Sequence, residues 1–359
     1  MPRILGKKNK GEFMKNKKLL NFIILIFALT YISCEKSNTM TDPVIRVTGI
    51  VISHSRLDLE PGGQQQIKAT VLPDNATNQN IEWTFSNPDL VTMDLNGVIT
   101  ALVRGEITIT VQSEDGGFKA ECDIYISNKI SEFSFQILQI EEEANIEIID
   151  YIGSSNSVYI PRSINDIPVT IMGINSFHNK SLAGVNIPEG VILIREGAFS
   201  NNLFSSLVLP NSLITIEPSA FSNNQLSNLS IGENVSFIGR YAFEWNNLSR
   251  VTIPNSVASI GTYSLANNQL TEVVFGDSVT IILWGAFANN QLTNIELPHS
   301  LRSILGWGFG NNQITRVSIG DGVQLGPYII SGDFSEVYDG IGGIFTRETS
   351  ESEKWERQD

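Results

Sequence analysis

A mainly β chain is predicted, a β-sandwich followed by a solenoid of 22-residue repeats carrying a parallel sheet. Two observations predict it. Between residues 45 and 127, short runs rich in Val, Ile and Thr recur every 8 to 12 residues between turn signals. From residue 177 on, Phe177, Phe199, Phe221, Phe243, Leu265, Phe287 and Phe309 follow one another at intervals of 22 without a gap.

The elements are taken in chain order. Residues 14 to 34 give a basic start, Met-Lys-Asn-Lys-Lys, then LLNFIILIFALTYISC, with small Ser33 before Cys34. That is the layout of an export signal. The apolar stretch is shorter than the roughly 20 residues a bilayer crossing needs, and polar EKSNTMTDP follows at once. Met14 is a candidate start beside Met1. The ending YISC resembles the lipobox of bacterial lipoproteins, with Tyr31 where Leu is usual. The resemblance implies acylation of Cys34, which becomes the new N-terminus; ordinary secretion or an uncleaved anchor are the alternatives. Several acyl chains on one residue would hold the protein on a membrane far more durably than one. Residues 1–34 are thus read as a signal peptide with a lipobox-like end and 35–44 as a linker.

Charge narrows the partners. Seven of the 24 Lys and Arg but only one of the 38 Asp and Glu precede Cys34, so removal of the leader leaves 17 bases against 37 acids. A formal charge of −20 repels phosphate backbones, and nucleic acid is excluded as an expected partner.

In residues 45–127 the turn signals are Pro61-Gly62-Gly63, Pro73-Asp74-Asn75, Asn96-Gly97 and Asp115-Gly116-Gly117. Alternation in QIKATVL (Ile67, Ala69, Val71), EITITV (Ile107, Ile109, Val111) and AECDIYI (Ala120, Cys122, Ile124, Ile126) sends one face of each strand inward. Trp83 is placed to anchor the core, and Cys122 reads as a small buried hydrophobe rather than a ligand or disulfide partner. The stretch from Pro73 to Val111, with Asn75-Ala76-Thr77, Trp83, Ser86-Asn87-Pro88, Asn96-Gly97-Val98 and Gly105, resembles the group-two bacterial immunoglobulin-like domain. What the resemblance implies is a spacer or adhesion module without an active site.

In the repeats, apolar columns lie five, eight and ten residues after the Phe anchor, for example Leu226, Leu229 and Ile231, and together spell L-x-x-L-x-L. The last two alternate along a short strand, expected to stack from coil to coil into a parallel sheet. Pro188, Pro210, Pro254 and Pro298, or Gly232, Gly276 and Gly320, end each strand. Two further columns, Val191 to Val323 and Ile194 to Ile304, turn back inside. Burying the apolar side chains of one coil does not offset the entropy of ordering 22 residues, so the coils must fold as an array with both ends protected.

Residues 128–176 are read as the N-terminal cap, with strands in FSFQILQ, ANIEIIDYIG and SVYIPRSI; 177–325 as the repeats; and 326–359 as a C-terminal cap and tail. Phe334, Tyr338, Ile341, Ile344, Phe345 and Trp355 are expected to cover the last coil, before a charged tail expected to fray. GAFSNN, SAFSNNQL, SLANNQL, GAFANNQL and GFGNNQI resemble the BspA-like leucine-rich repeat of bacterial surface proteins. Asn179-Lys180 departs from the first Asn pair, Trp245-Asn246-Asn247 reads as a shifted pair, and Leu265 replaces a Phe. The resemblance implies surface display and binding to host or neighbouring-cell proteins, on an outer membrane if the cell is Gram-negative.

No catalytic constellation, metal set or cofactor motif is read. His54, His178 and His299 stand apart, without a Cys–His pair, an H-E-x-x-H, a G-x-S-x-G or a phosphate loop. Glu141-Glu142-Glu143 lacks the spaced ligands of a calcium loop and reads as a solvated run. The paired Asn at 201–202, 223–224, 267–268, 289–290 and 311–312 read as stacked amides that satisfy turn backbone. A partner would be read by the outward columns flanking the central strand residue, where Arg250, Glu272, Asn294, Glu296 and Arg316 gather charge toward the C-terminal coils. The expected function is a lipid-anchored, surface-exposed binder of extracellular or cell-surface protein, with a glycan as the other partner class. A non-catalytic scaffold facing the periplasm is the alternative reading.

Overall fold

The computed structural model describes residues 43–358. The leader, Cys34 and residues 35–42 of the expected linker lie outside them. From Ile45 on, the chain forms one compact unit.

The sandwich contains nine strands: β1 (Gly49–Ile52), β2 (Arg56–Leu59), β3 (Gln64–Gln66), β4 (Ala69–Leu72), β5 (Ile81–Phe85), β6 (Val91–Met93), β7 (Val98–Ala101), β8 (Gly105–Ser113) and β9 (Lys119–Ile126). They form sheets β2-β9-β8-β5 and β3-β7-β6 and the pair β1-β4. QIKATVL is not one strand. It breaks at Ile67-Lys68, so that β3 joins β7 while β4 joins β1, and buried Ile67 sits at the corner between sheets. The inward set of β8 and β9 packs with Ile67, Val91 and Ile99 as a core in which Cys122 is fully buried. Trp83 is half-buried and touches both this core and a smaller one around Val71 and Val111.

Alternation misleads at Tyr125. It belongs to the outward set of β9, yet it is fully buried, because the solenoid cap covers that face.

The cap opens with the hairpin β10 (Phe133–Ile140) and β11 (Glu143–Tyr151), followed by β12 (Ser157–Tyr159), β13 (Ser163–Ile164) and β14 (Ile167–Met172). Glu141 and Glu142 are the two positive-φ residues of the hairpin turn, which accounts for the acidic run. β11 pairs parallel with β14. From there an unbroken parallel ladder runs through Leu193–Ile194, Thr215–Ile216, Phe237–Ile238, Ser259–Ile260, Ile281–Ile282, Ser303–Ile304 and Gln324–Leu325.

That ladder lies on the Ile194 column, not on the L-x-L strands where a continuous sheet was expected. The L-x-L strands pair two by two: β12 with Gly184–Asn186, Ser206–Val208 with Asn228–Ser230, Arg250–Thr252 with Glu272–Val274, and Asn294–Glu296 with Arg316–Ile319. In the last three pairs the residue types after the strands follow the pairing, although pairing does not require it: the first pair has Pro in both coils, and a Cβ on Gly320 would meet nothing within 4 Å. In each of the last three pairs the first coil ends in Pro (210, 254, 298) and the second in Gly (232, 276, 320). A Cβ on Gly232 would stand 2.2 Å from the Pro210 carbonyl oxygen, and one on Gly276 would stand 2.5 Å from that of Pro254. Glycine at these two positions allows that close approach. The residue before each Pro then donates one more ladder bond, Leu209 to the Ser230 carbonyl at 2.9 Å and Ile253 to that of Val274 at 2.8 Å. The first pair has Pro in both coils, Pro161 and Pro188, and its corresponding bond, Ile160 N–H to the Asn186 carbonyl, is 3.2 Å. Open seams separate the pairs.

Inside, the Phe anchors stack ring on ring, 4.7 Å between Phe177 and Phe199 and 5.2 Å between Phe199 and Phe221, with Tyr151 continuing the stack onto the cap. The second Asn of each turn is buried under them. Asn268 Nδ2 reaches the carbonyls of Phe243 (3.0 Å), Ala266 (3.1 Å) and Leu265 (3.2 Å), while its Oδ1 accepts the Leu248 N–H at 3.0 Å. Asn246 makes the same set of bonds. The fourth turn is therefore in register: Trp245 occupies the positive-φ place of the first Asn, rather than shifting the pair.

At the C-terminal end Phe334, Tyr338, Phe345 and Trp355 are buried as expected, but Ile341 and Ile344 are exposed. The tail does not fray. Gly343–Thr346 pairs antiparallel with Arg316–Ile319 and with Glu356–Gln358, ending the ladder. Buried Arg347 holds it, donating to the carbonyls of Ile314, Ser331 and Ser352 with its guanidinium 4.8 Å from the Trp355 ring centre.

Candidate functional site

The outward columns of the paired strands form the surface singled out from sequence. Arg250 and Glu272 are register partners in one pair, with Nη2 and Oε1 3.3 Å apart. Arg316 reaches Glu296 in the next pair at 3.4 Å, and Asn294 stands opposite Arg316. The five residues thus come together as two ion pairs flanking one open seam. The patch is neutral in sum but strongly dipolar. All five side chains are solvent-accessible, and such pairs contribute little to stability, so the fold does not require them.

The seams are the feature that sequence reasoning missed. The one between Asn228–Ser230 and Arg250–Thr252 opens a cleft of about 540 Å³, lined by Ser230, Ile231, Thr252, Pro254 and Phe275. Another, of about 580 Å³, lies between Asn186 and Val208, where Glu106 of the sandwich joins its wall. A partial signal was present in the Pro-then-Gly order after the strands of the last three pairs, which the first pair, with Pro161 and Pro188, does not share.

The junction was missed as well. The Tyr125 hydroxyl donates to the Ile160 carbonyl at 2.7 Å, and the Arg162 guanidinium lies 4.2 Å over the Tyr125 ring. Asn128 and Tyr159 exchange two hydrogen bonds of 2.8 Å, and Glu60 accepts the Ile130 N–H at 2.8 Å. Burial pushes the Tyr125 phenol well above the usual range and the Cys122 thiol up to about 11. Cys122 is therefore held as an unreactive thiol.

His54 and His178 each bond a neighbouring serine hydroxyl, at 2.8 Å and 2.7 Å. Among the described residues no three His, Cys, Asp or Glu side chains are grouped to hold a metal ion, and no helix is long and apolar enough to cross a membrane.

Two family models match the chain: the bacterial Ig-like domain of group 2 over residues 46–124, and the BspA type leucine rich repeat region, in six copies, over 169–291 and 259–333. The chain joins a group 2 bacterial Ig-like domain to a BspA type leucine rich repeat region. Two uncharacterized proteins of Clostridium acetobutylicum are similar to it. One is 31% identical over 110 residues, 30% of this chain and 11% of that protein. The other is 34% identical over 95 residues, 25% of this chain and 24% of its own length. The matched region thus spans no more than a quarter of either relative. Among solved structures, the pneumococcal vaccine antigen PcpA aligns at 19% identity with a TM-score of 0.41, covering 55% of this chain and 50% of that one.

Proposed function

We propose that this protein is a non-catalytic binding protein of the bacterial cell surface, anchored through acylated Cys34, with the Ig-like domain as a stalk and the leucine rich repeats as the reading surface. The observation that carries the reading is the contrast between columns. Inward columns repeat the same apolar residue types from coil to coil, whereas the outward strand columns change identity at nearly every coil and gather paired charges at Arg250, Glu272, Asn294, Glu296 and Arg316. Within each pair, parallel pairing holds neighbouring strands about 4.8 Å apart, so the backbone that presents these side chains is set before binding. A protein partner with complementary dipoles suits it, since rim charges set registry and encounter rate.

The test is done on intact cells, comparing wild type with Cys34→Ala. Protease should release solenoid peptides from wild-type cells, and the mutant should lose the cell-bound signal. A wild-type solenoid reached only after lysis would instead favour the periplasm-facing scaffold. Replacement of the five patch residues by alanine should abolish binding of a protein captured by the wild-type surface while leaving the thermal midpoint nearly unchanged; undiminished binding would remove the patch from the proposal.

A further inference from the structure

A turn edge of the solenoid, nine residues before the strand face in each coil, carries a series of aromatic rings, several of them exposed. Two residues before each Phe anchor, the backbone adopts positive φ in every coil. The first three coils fill this place with Asn175, Gly197 and Ser219, residue types that tolerate the left-handed region. Four of the later coils place Tyr241 (φ 61°), Tyr263 (φ 52°), Trp307 (φ 62°) and Tyr328 (φ 56°) there instead, and the coil of Phe287 keeps glycine, Gly285 (φ 63°). A bulky side chain at positive φ is strained; Tyr241 and Tyr263 recover part of that by stacking on each other at 5.7 Å, whereas Trp307 is 42% and Tyr328 is 75% exposed. Trp284, one residue earlier in its own coil, is 41% exposed, so the edge presents a file of aromatic faces.

The rings are seated rather than loose. Trp307 lies against Gly310, where an added Cβ would come within 2.8 Å of the ring, and Trp284 lies against Gly306 of the next coil, where it would come within 2.5 Å. Each indole therefore rests on bare backbone. At the C-terminal end Trp307 and Tyr328 line a cleft of about 720 Å³, together with Asn289, Asn311 and Asn312 and no charged residue. Asn311 Nδ2 donates to Asn289 Oδ1 (2.7 Å), and Asn289 donates in turn to Asn267 (2.8 Å). The Oδ1 of Asn311 ends this amide chain and accepts no hydrogen bond among the described residues.

We propose that this cleft is a binding site for an uncharged oligosaccharide, whose pyranose C–H faces stack on Trp307 and Tyr328 while its hydroxyls bond the Asn311 amide. Rigid aromatic faces beside a few oriented carboxamides, with charge excluded, match the alternation of apolar ring faces and hydroxyl edges in a neutral sugar chain. A polyanionic glycan would meet the repulsion of an acidic protein and find no base in the cleft. The site is separate from the strand-face patch and does not depend on it.

The test uses the full chain with cellohexaose, mannohexaose and maltohexaose as neutral probes and heparin as the charged control, read by titration calorimetry and tryptophan fluorescence. At least one neutral hexaose should bind with a change in tryptophan emission, and heparin should not. Trp307→Gly and Tyr328→Gly remove the rings while relieving the positive φ, so both variants should melt no lower than wild type, and each should weaken hexaose binding at least tenfold. Failure of all three hexaoses, binding unchanged in the double glycine variant, preference for heparin, or a clearly lowered melting temperature in both variants would each overturn the proposal.

Discussion

The hydroxyl of Tyr125, on the last strand of the Ig-like domain, donates a 2.7 Å hydrogen bond to the carbonyl of Ile160 in the first coil of the solenoid. This bond is buried, and Arg162 stacks over the same ring while reaching Asp58 at 3.5 Å. The Ig-like domain and the leucine rich repeats are therefore joined through a buried contact. Tyr125→Phe keeps the ring and leaves the Ile160 carbonyl without its hydroxyl partner, at a cost of about 1–3 kcal/mol. We expect the urea transition of the wild type to be single, and the variant to shift it downward or split it into a domain step and a solenoid step. A variant whose transition overlays the wild type would show that the junction is carried by the Asn128–Tyr159 bonds instead.

Titration offers a second check on the sandwich core. Burial raises the Cys122 thiol from 9.0 to about 11 and pushes the Tyr125 phenol up as well. Both are acids whose folded pKa exceeds the unfolded one. The Cys122 contribution to stability is therefore complete below about pH 9 and is lost as the pH rises through about 11, and that of Tyr125 is lost only at higher pH, because in each case the unfolded chain releases its proton first. Iodoacetamide at pH 8 should leave Cys122 unmodified in the folded protein and label it once urea unfolds the domain. Rapid labelling without denaturant would mean that the β9 strand opens locally.

Much of this fold could be read from spacing alone, because in a solenoid each inward column repeats one residue type and the period reveals itself. The seven-membered series of six Phe and Leu265 and the buried Asn turns are of this kind. What the sequence concealed were relationships between elements. Tyr125 obeys strand alternation and is buried only because a second domain covers it. The Pro and Gly that end successive strands look interchangeable as turn formers; their order follows the pairing in the last three pairs but not in the first, where Pro161 and Pro188 end both strands, so it does not by itself locate the seams. The charged tail held by Arg347 follows the same rule: a lone arginine in an acidic segment gives no local sign of the three carbonyls it will find. The patch residues were legible as outward and variable, but not as two ion pairs, since that depends on which strands pair.

The two asparagines of one turn should differ sharply on substitution. Asn268 is buried and satisfies carbonyls in two coils as well as the Leu248 N–H, so Asn268→Ala leaves several buried polar groups without partners. We expect a loss of about 2–3 kcal/mol, measured by urea denaturation. Asn267 sits at φ 56° and its amide bonds the Glu244 carboxylate at 2.9 Å, near the surface. Asn267→Gly accommodates that backbone and should cost about 1 kcal/mol or less. Equal losses at the two positions would contradict the division of labour between them.

The break in the Phe series has a compensating partner. Leu265 stands where the other coils have a ring, and ten residues later in the same coil Phe275 replaces the Ile or Leu of its column. Phe275 packs edge-on against Phe287, ring centres 5.5 Å apart, a contact made from within the coil that lacks its own anchor ring. We expect this exchange of a large and a small residue between columns to conserve interior volume. Leu265→Phe alone should overpack this coil and cost about 1–3 kcal/mol, and Phe275→Leu alone should leave a void at a similar cost. The double variant restores the pattern of the neighbouring coils and should recover most of both losses, giving a coupling energy of at least about 1 kcal/mol in a double-mutant cycle. Strictly additive losses would mean that the two columns do not share a space, and that the departure at Leu265 is absorbed by its stacked neighbours Phe243 and Phe287 instead.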